Sequence, residues 1–74
     1  MRCKMLVKRS FSLSGHRTSI ALEPAFWAVL QAVADARLLP LAGLVGQIDS
    51  GRTPDQPLAS ALRVFALQNK PSAA

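Results

Sequence analysis

Tyrosine is absent, and cysteine and histidine occur once each, as Cys3 and His16. A lone cysteine excludes an internal disulfide and a cysteine-rich zinc site, and one histidine without further ligands holds no metal. Acids are few: Glu23, Asp35, Asp49 and Asp55 are scattered, with no two at i,i+3 or i,i+4 spacing. General acid–base chemistry needs converging groups in a cleft, and no glycine-rich loop lies between a strand and a helix, so neither catalysis nor a cofactor is expected. Long apolar runs are also lacking. The longest in the second half, residues 38–46, spans nine residues, far short of the roughly 20 of a membrane span. Met5-Leu6-Val7 is too short for a signal-peptide core. A cytoplasmic location is expected, with Cys3 a reduced, exposed thiol.

A chain of 74 residues is one small domain, and such domains bury only roughly 60% of their unfolded surface. Disulfides, metals or oligomerisation usually help. With the first two excluded, oligomerisation remains.

What is present is apolar content and positive charge. Half of the residues are hydrophobic, and nine Lys and Arg against four acids give +5. The excess sits at one end: Arg2, Lys4, Lys8, Arg9 and Arg17 come before any acid. A basic arm, residues 1–8, beside a near-neutral body suits contact with a polyanion, or is a solvated start that aids solubility.

Residues 9–22 alternate with period two. Phe11 and Leu13 alternate with Ser10, Ser12 and Ser14; Thr18, Ile20 and Leu22 alternate with Arg17, Ser19 and Ala21. Such alternation marks strands with one covered face. Gly15-His16 between them suits a two-residue type II′ turn with glycine first. In that register Leu13 faces Thr18, Phe11 faces Ile20 and Ser12 faces Ser19, with Arg17 and the serines on the polar face.

Glu23-Pro24 is a tolerated helix start. Phe26, Trp27, Leu30, Val33 and Ala34 follow at helical spacing to about residue 37, which makes Trp27 a core or dimer-interface residue. Leu38-Leu39-Pro40 breaks the helix, because a residue before proline avoids the α region. A second helix begins at 40 or 41 and ends at 49 or 50, with Leu41, Leu44, Val45 and Ile48 on its apolar face. Gly43 and Gly46 weaken it by up to about 1 kcal/mol each unless close packing needs them. A polar turn, residues 51–57, leads to a third helix over 58–68, with Leu58, Ala61, Leu62, Phe65 and Ala66 inward. Residues 69–74 read as a frayed tail. Arg63 either pairs with an acid or is solvated.

A strand or hairpin followed by helices, in a small basic chain, resembles the ribbon-helix-helix DNA-binding proteins of the MetJ/Arc superfamily. The stretch Gly15-His16-Arg17-Thr18-Ser19-Ile20-Ala21-Leu22-Glu23-Pro24-Ala25-Phe26-Trp27 is similar to a bacterial branch with a Gly-His-Arg-Thr-Ser signature and a third helix, whose start Ser60-Ala61-Leu62-Arg63-Val64-Phe65 resembles. The resemblance implies a mainly α fold with a short β-ribbon and three helices over residues 9–68. It also implies a homodimer and a transcriptional regulator whose antiparallel ribbon enters the major groove of double-stranded DNA.

Residue by residue, it implies base contacts by Arg17, Ser19 and Ala21. An arginine fork fits guanine O6 and N7, whereas alanine meets only a thymine methyl. It implies a phosphate site at the start of the second helix, carried by the N–H groups of Leu41 and Ala42; Pro40 stands where the family has a hydroxyl cap. His16, Arg2, Lys4, Lys8 and Arg9 are further candidate phosphate contacts. Ile20, Leu22, Phe26, Trp27, Leu30, Val33, Leu44, Val45 and Ile48 form the expected dimer core, too many large groups for a single chain to cover. Two other readings stay open. One is an antitoxin-like or adaptor dimer that docks a second protein through the third helix. The other is a membrane-surface peptide, for which the serine-rich alternation lacks an amphipathic helical face.

Overall fold

The computed structural model describes residues 5–13 and 15–69. Arg2, Cys3, Lys4, Ser14 and residues 70–74 lie outside the described residues. Strands β1 (Val7–Leu13) and β2 (His16–Leu22) form a two-stranded antiparallel sheet. Helices α1 (Pro24–Ala36), α2 (Leu41–Gly51) and α3 (Leu58–Asn69) follow. This is the mainly helical architecture with a short ribbon that the alternation and the three helical stripes predict. Lys8 lies within β1.

The pairing differs from the expected register. Phe11 faces Thr18, Leu13 faces His16 and Ser12 faces Arg17. The turn is the reason. Positive φ, +83°, falls on Gly15 directly before the first residue of β2, so His16 is a strand residue rather than the second turn residue. A glycine-first type II′ turn would have held His16 in the connection. Because the shift is an even number of residues, every side chain keeps its expected face.

The inward face of the hairpin supplies Leu13, Ile20 and Leu22 to a core completed by Trp27, Leu30 and Ala34 of α1, Leu44 and Val45 of α2, and Leu62 and Ala66 of α3. Of the side chains assigned to a dimer core, Ile20, Leu22, Trp27, Leu30, Leu44 and Val45 are buried within one chain, at 4% exposure or less. Phe26, Val33 and Ile48 pack half-buried at its margin. The premise that one chain has no room for these groups is therefore corrected: α3 packs on α1, α2 and β2 and closes the core from within.

Each helix start and stop has a local cause. Pro24 occupies the first turn of α1, where its missing N–H costs nothing. The helix ends by reversal at Leu38, ahead of the Leu39-Pro40 step. Leu39 N–H donates to Ala34 O at 2.9 Å and Leu38 N–H to Asp35 O at 3.1 Å, the paired bonds of a Schellman motif. Its left-handed position, usually glycine, holds Leu38 at φ +58° with 91% exposure. After α2, Arg52 closes the turn, with Nε donating to Asp49 Oδ1 at 2.9 Å and a terminal nitrogen to Gln56 O at 2.7 Å.

Candidate nucleic-acid interface

The alternation that buries one face of the hairpin pushes the other into solvent. Its outward side chains are Lys8, Ser10 and Ser12 of β1 and Arg17, Ser19 and Ala21 of β2, cross-paired as Lys8–Ala21, Ser10–Ser19 and Ser12–Arg17. All are exposed except Ala21, which is half-buried. The hydroxyls of Ser10 and Ser19 share a hydrogen bond at 2.9 Å. The face thus carries two cations and three hydroxyls, with no acid and no bulky aliphatic group.

Its electrostatics follow from where the acids are. Glu23 pairs with Arg63 at 3.2 Å and Asp49 with Arg52 at 2.9 Å, while Asp35 accepts from the Gln31 amide at 2.9 Å. Neither of these two ion pairs involves a side chain of the outward face. Lys8 and Arg17 lie at opposite corners of the face, about 13 Å apart along the strands at ~3.3 Å per residue.

The structure brings the expected base-contacting residues Arg17, Ser19 and Ala21 together on this face, with Lys8 beside them. It does not bring Arg9 or His16 there. Both have the parity of the helix-facing residues: Arg9 pairs with Ile20 and His16 with Leu13. The Arg9 guanidinium lies 5.3 Å from the centre of the Trp27 ring. Trp27 Nε1 donates to the carbonyl of Val7 at 2.7 Å, and the Phe11 ring stands 5.9 Å away. Arg9 is thus part of the clasp that holds β1 to α1. Leu41 and Ala42 open α2 behind Pro40, which supplies no side-chain cap, so their N–H groups begin the helix without an intrahelical acceptor. Arg2 and Lys4 fall outside the described residues.

Ser10 and Ser12 were not among the expected contacts, although their alternation with Phe11 and Leu13 already placed them beside Arg17. Arg63, open between two expectations, pairs with Glu23 and stands 6.0 Å from the Phe26 ring.

A concavity of about 380 Å³ lies between α2 and α3. Leu44, Ile48, Val64 and Phe65 form its apolar wall, and Arg37, which lies over the Phe65 ring at 5.5 Å, stands at its rim. Among the described residues no group of three His, Cys, Asp or Glu is placed to hold a metal ion. No single described helix is long and apolar enough to cross a membrane.

Residues 6–69 match the family model of the ribbon-helix-helix domain, from just before β1 to the last residue of α3. No curated protein and no solved structure gives a significant match. With that match over most of its length, and with a hairpin leading into helices as the fold requires, the chain belongs to the ribbon-helix-helix family, a fold typical of DNA-binding regulators and antitoxins.

Proposed function

We propose that this protein is a homodimeric transcriptional regulator of a bacterial cytoplasm that sets an antiparallel ribbon, β2 paired with β2 of a second copy, into the major groove of double-stranded DNA. The observation that carries this reading is the acid-free face of Lys8, Ser10, Ser12, Arg17, Ser19 and Ala21. Arg17 is the base reader, through a bidentate bond to guanine, with Ser19 beside it and Ala21 against a thymine methyl. The N–H groups of Leu41 and Ala42, and the arm residues Arg2 and Lys4, meet phosphates; the lack of a hydroxyl at Pro40 makes the helix-terminal site a weak one. The dimer forms at the edge of β2 that carries no strand in the two-stranded sheet, a segment with no proline to block pairing.

The test is selection of bound sequences from a random DNA pool, followed by affinity for the selected duplex and a scrambled one at about 0.15 M salt, where purely electrostatic binding collapses. Arg17→Ala should cost about 1–3 kcal/mol on the selected duplex and flatten preference at one base pair. Arg17→Lys should also lose discrimination, since an ammonium does not reproduce the fork. An unchanged ratio of the two affinities in both variants makes Arg17 a phosphate clamp and removes the reading of bases.

The second reading, a protein-docking dimer, is favoured by α3 alone, which exposes Val64 and Leu67 (43% and 60%). If docking through α3 is the function, the random pool yields no enriched sequence.

A further inference from the structure

The hairpin has two outward rows, and the proposed function uses only one of them. The geometry points to a division of labour between the strands: β2 reads bases, and the β1 row of Lys8, Ser10 and Ser12 rides on the phosphates at the groove walls. This inference rests on the DNA-binding reading above and on pairing of two copies through β2.

The argument is one of width. If two copies join at β2, the ribbon has four strands in the order β1–β2–β2–β1, and three spacings of ~4.8 Å put the outer strands about 14 Å apart. A major groove about 12 Å wide accepts the central pair and not the outer two. The flanking strands must then lie over the sugar–phosphate backbones. Their chemistry fits that place. Ser10 and Ser12 offer hydroxyl donors and Lys8 an ammonium, all exposed and pointing the same way as Arg17. Short hydroxyls and lysine bind phosphate without reading sequence, and neither presents the planar fork that makes Arg17 a reader. The β1 row also supplies what the start of α2 lacks, since Pro40 brings no hydroxyl there. The Trp27 contacts with Val7 and Arg9 hold β1 to α1.

Ser12→Ala and Lys8→Gln test the assignment, because both positions are exposed and neither touches the Ser10–Ser19 bond. Full-length protein is titrated with the duplex selected from a random pool and with a scrambled duplex, across a salt series, and folding is checked by thermal melt. Each variant should weaken both duplexes by the same factor, about three- to tenfold per copy for one lost hydrogen bond in each. The ratio of the two affinities should stay that of the wild type. Lys8→Gln should flatten the slope of log K against log salt by about 0.9 per copy, and Ser12→Ala should leave it unchanged. Arg17→Ala is the contrast, since it alters the ratio. If Ser12→Ala changes preference among sequences, both strands of one chain lie in the groove and the division of labour is wrong. If neither variant weakens binding, the β1 row faces solvent and the assignment is equally wrong. If wild-type protein shifts neither duplex, the DNA-binding reading itself fails, an outcome distinct from both.

Discussion

The clasp of Trp27 on β1 is the contact on which the presentation of the outward face depends, and its worth can be estimated. Trp27→Phe keeps a ring in the core but removes the indole N–H that donates to Val7 O at 2.7 Å, together with the pyrrole part of a side chain only 4% exposed. The hydrogen bond contributes about 0.5–1.5 kcal/mol net. The missing ring atoms cost about 1–2 kcal/mol in lost burial and residual cavity. The total is about 1.5–3.5 kcal/mol, which for a domain of this size lowers Tm by roughly 6–28 °C. Thermal denaturation followed by circular dichroism, at one fixed protein concentration, reads it directly. Amide exchange should quicken first in β1, because β1 loses its tie to α1 while β2 remains covalently continuous with the start of the helix. A double-mutant cycle between Arg9→Ala and Trp27→Leu should give a coupling of about 0.5–1 kcal/mol for a cation stacked 5.3 Å from the ring. If Trp27→Phe stays within about 0.5 kcal/mol of wild type, or if the cycle is additive, the clasp does not hold the hairpin.

Leu38→Gly should stabilise the protein by about 0.5–1 kcal/mol, since glycine carries no Cβ penalty at φ +58° and a side chain 91% exposed gives up no packing; a lower Tm would contradict this. Gly46→Ala should raise stability by up to about 1 kcal/mol, because its new Cβ would meet Leu13 Cδ2 at an ordinary 3.9 Å; a loss that deepens on dilution would instead place Gly46 against a second copy. Glu23→Gln should lose about 0.2–1 kcal/mol through its pair with Arg63, which is about a third exposed, and that part of the loss should shrink with added salt. The melting temperature of the wild type should rise with protein concentration if copies pair through β2, and a concentration-independent melt with a monomer in sedimentation refutes the dimer.

How much of this was legible in the sequence depends on which property is asked about. Faces were legible, because strict period-two alternation of Phe11 and Leu13 with serines, and of Thr18, Ile20 and Leu22 with Arg17, Ser19 and Ala21, specifies an inside and an outside without reference to the partner strand. The register was not, because it depends on which turn residue takes positive φ. Ser14-Gly15 and Gly15-His16 both offer a glycine to a two-residue connection, and local sequence does not choose between them. The two choices differ by an even shift, so the group of residues on the candidate interface survived a wrong pairing. The role of Arg9 needed the third dimension. Counted as one of five early cations it read as a phosphate contact, yet its parity with Phe11 and Leu13 had already set it on the helix side. Only the proximity of Trp27, eighteen positions along, shows what it stacks on.

The argument for a second copy changes ground for a similar reason. Counting large apolar side chains treats burial as if it needed a partner chain, but α3 brings Ala61, Leu62 and Ala66 against the hairpin and the first two helices, and Leu22, Leu30, Leu44 and Val45 reach zero exposure within one chain. Burial of these side chains is therefore not by itself an argument for a second copy. The backbone supplies a second ground: in a two-stranded sheet β2 has one edge of N–H and C=O groups without a strand beside it, and in the proposed dimer those groups would gain hydrogen bonds from a second copy of the same strand about a twofold axis. A dimer held by strand pairing, as proposed, would place that pairing next to the outward row of β2. Substitutions that weaken pairing along β2 should then weaken DNA binding before they affect the melt of the single chain, whereas core substitutions such as Leu62→Ala should do the reverse.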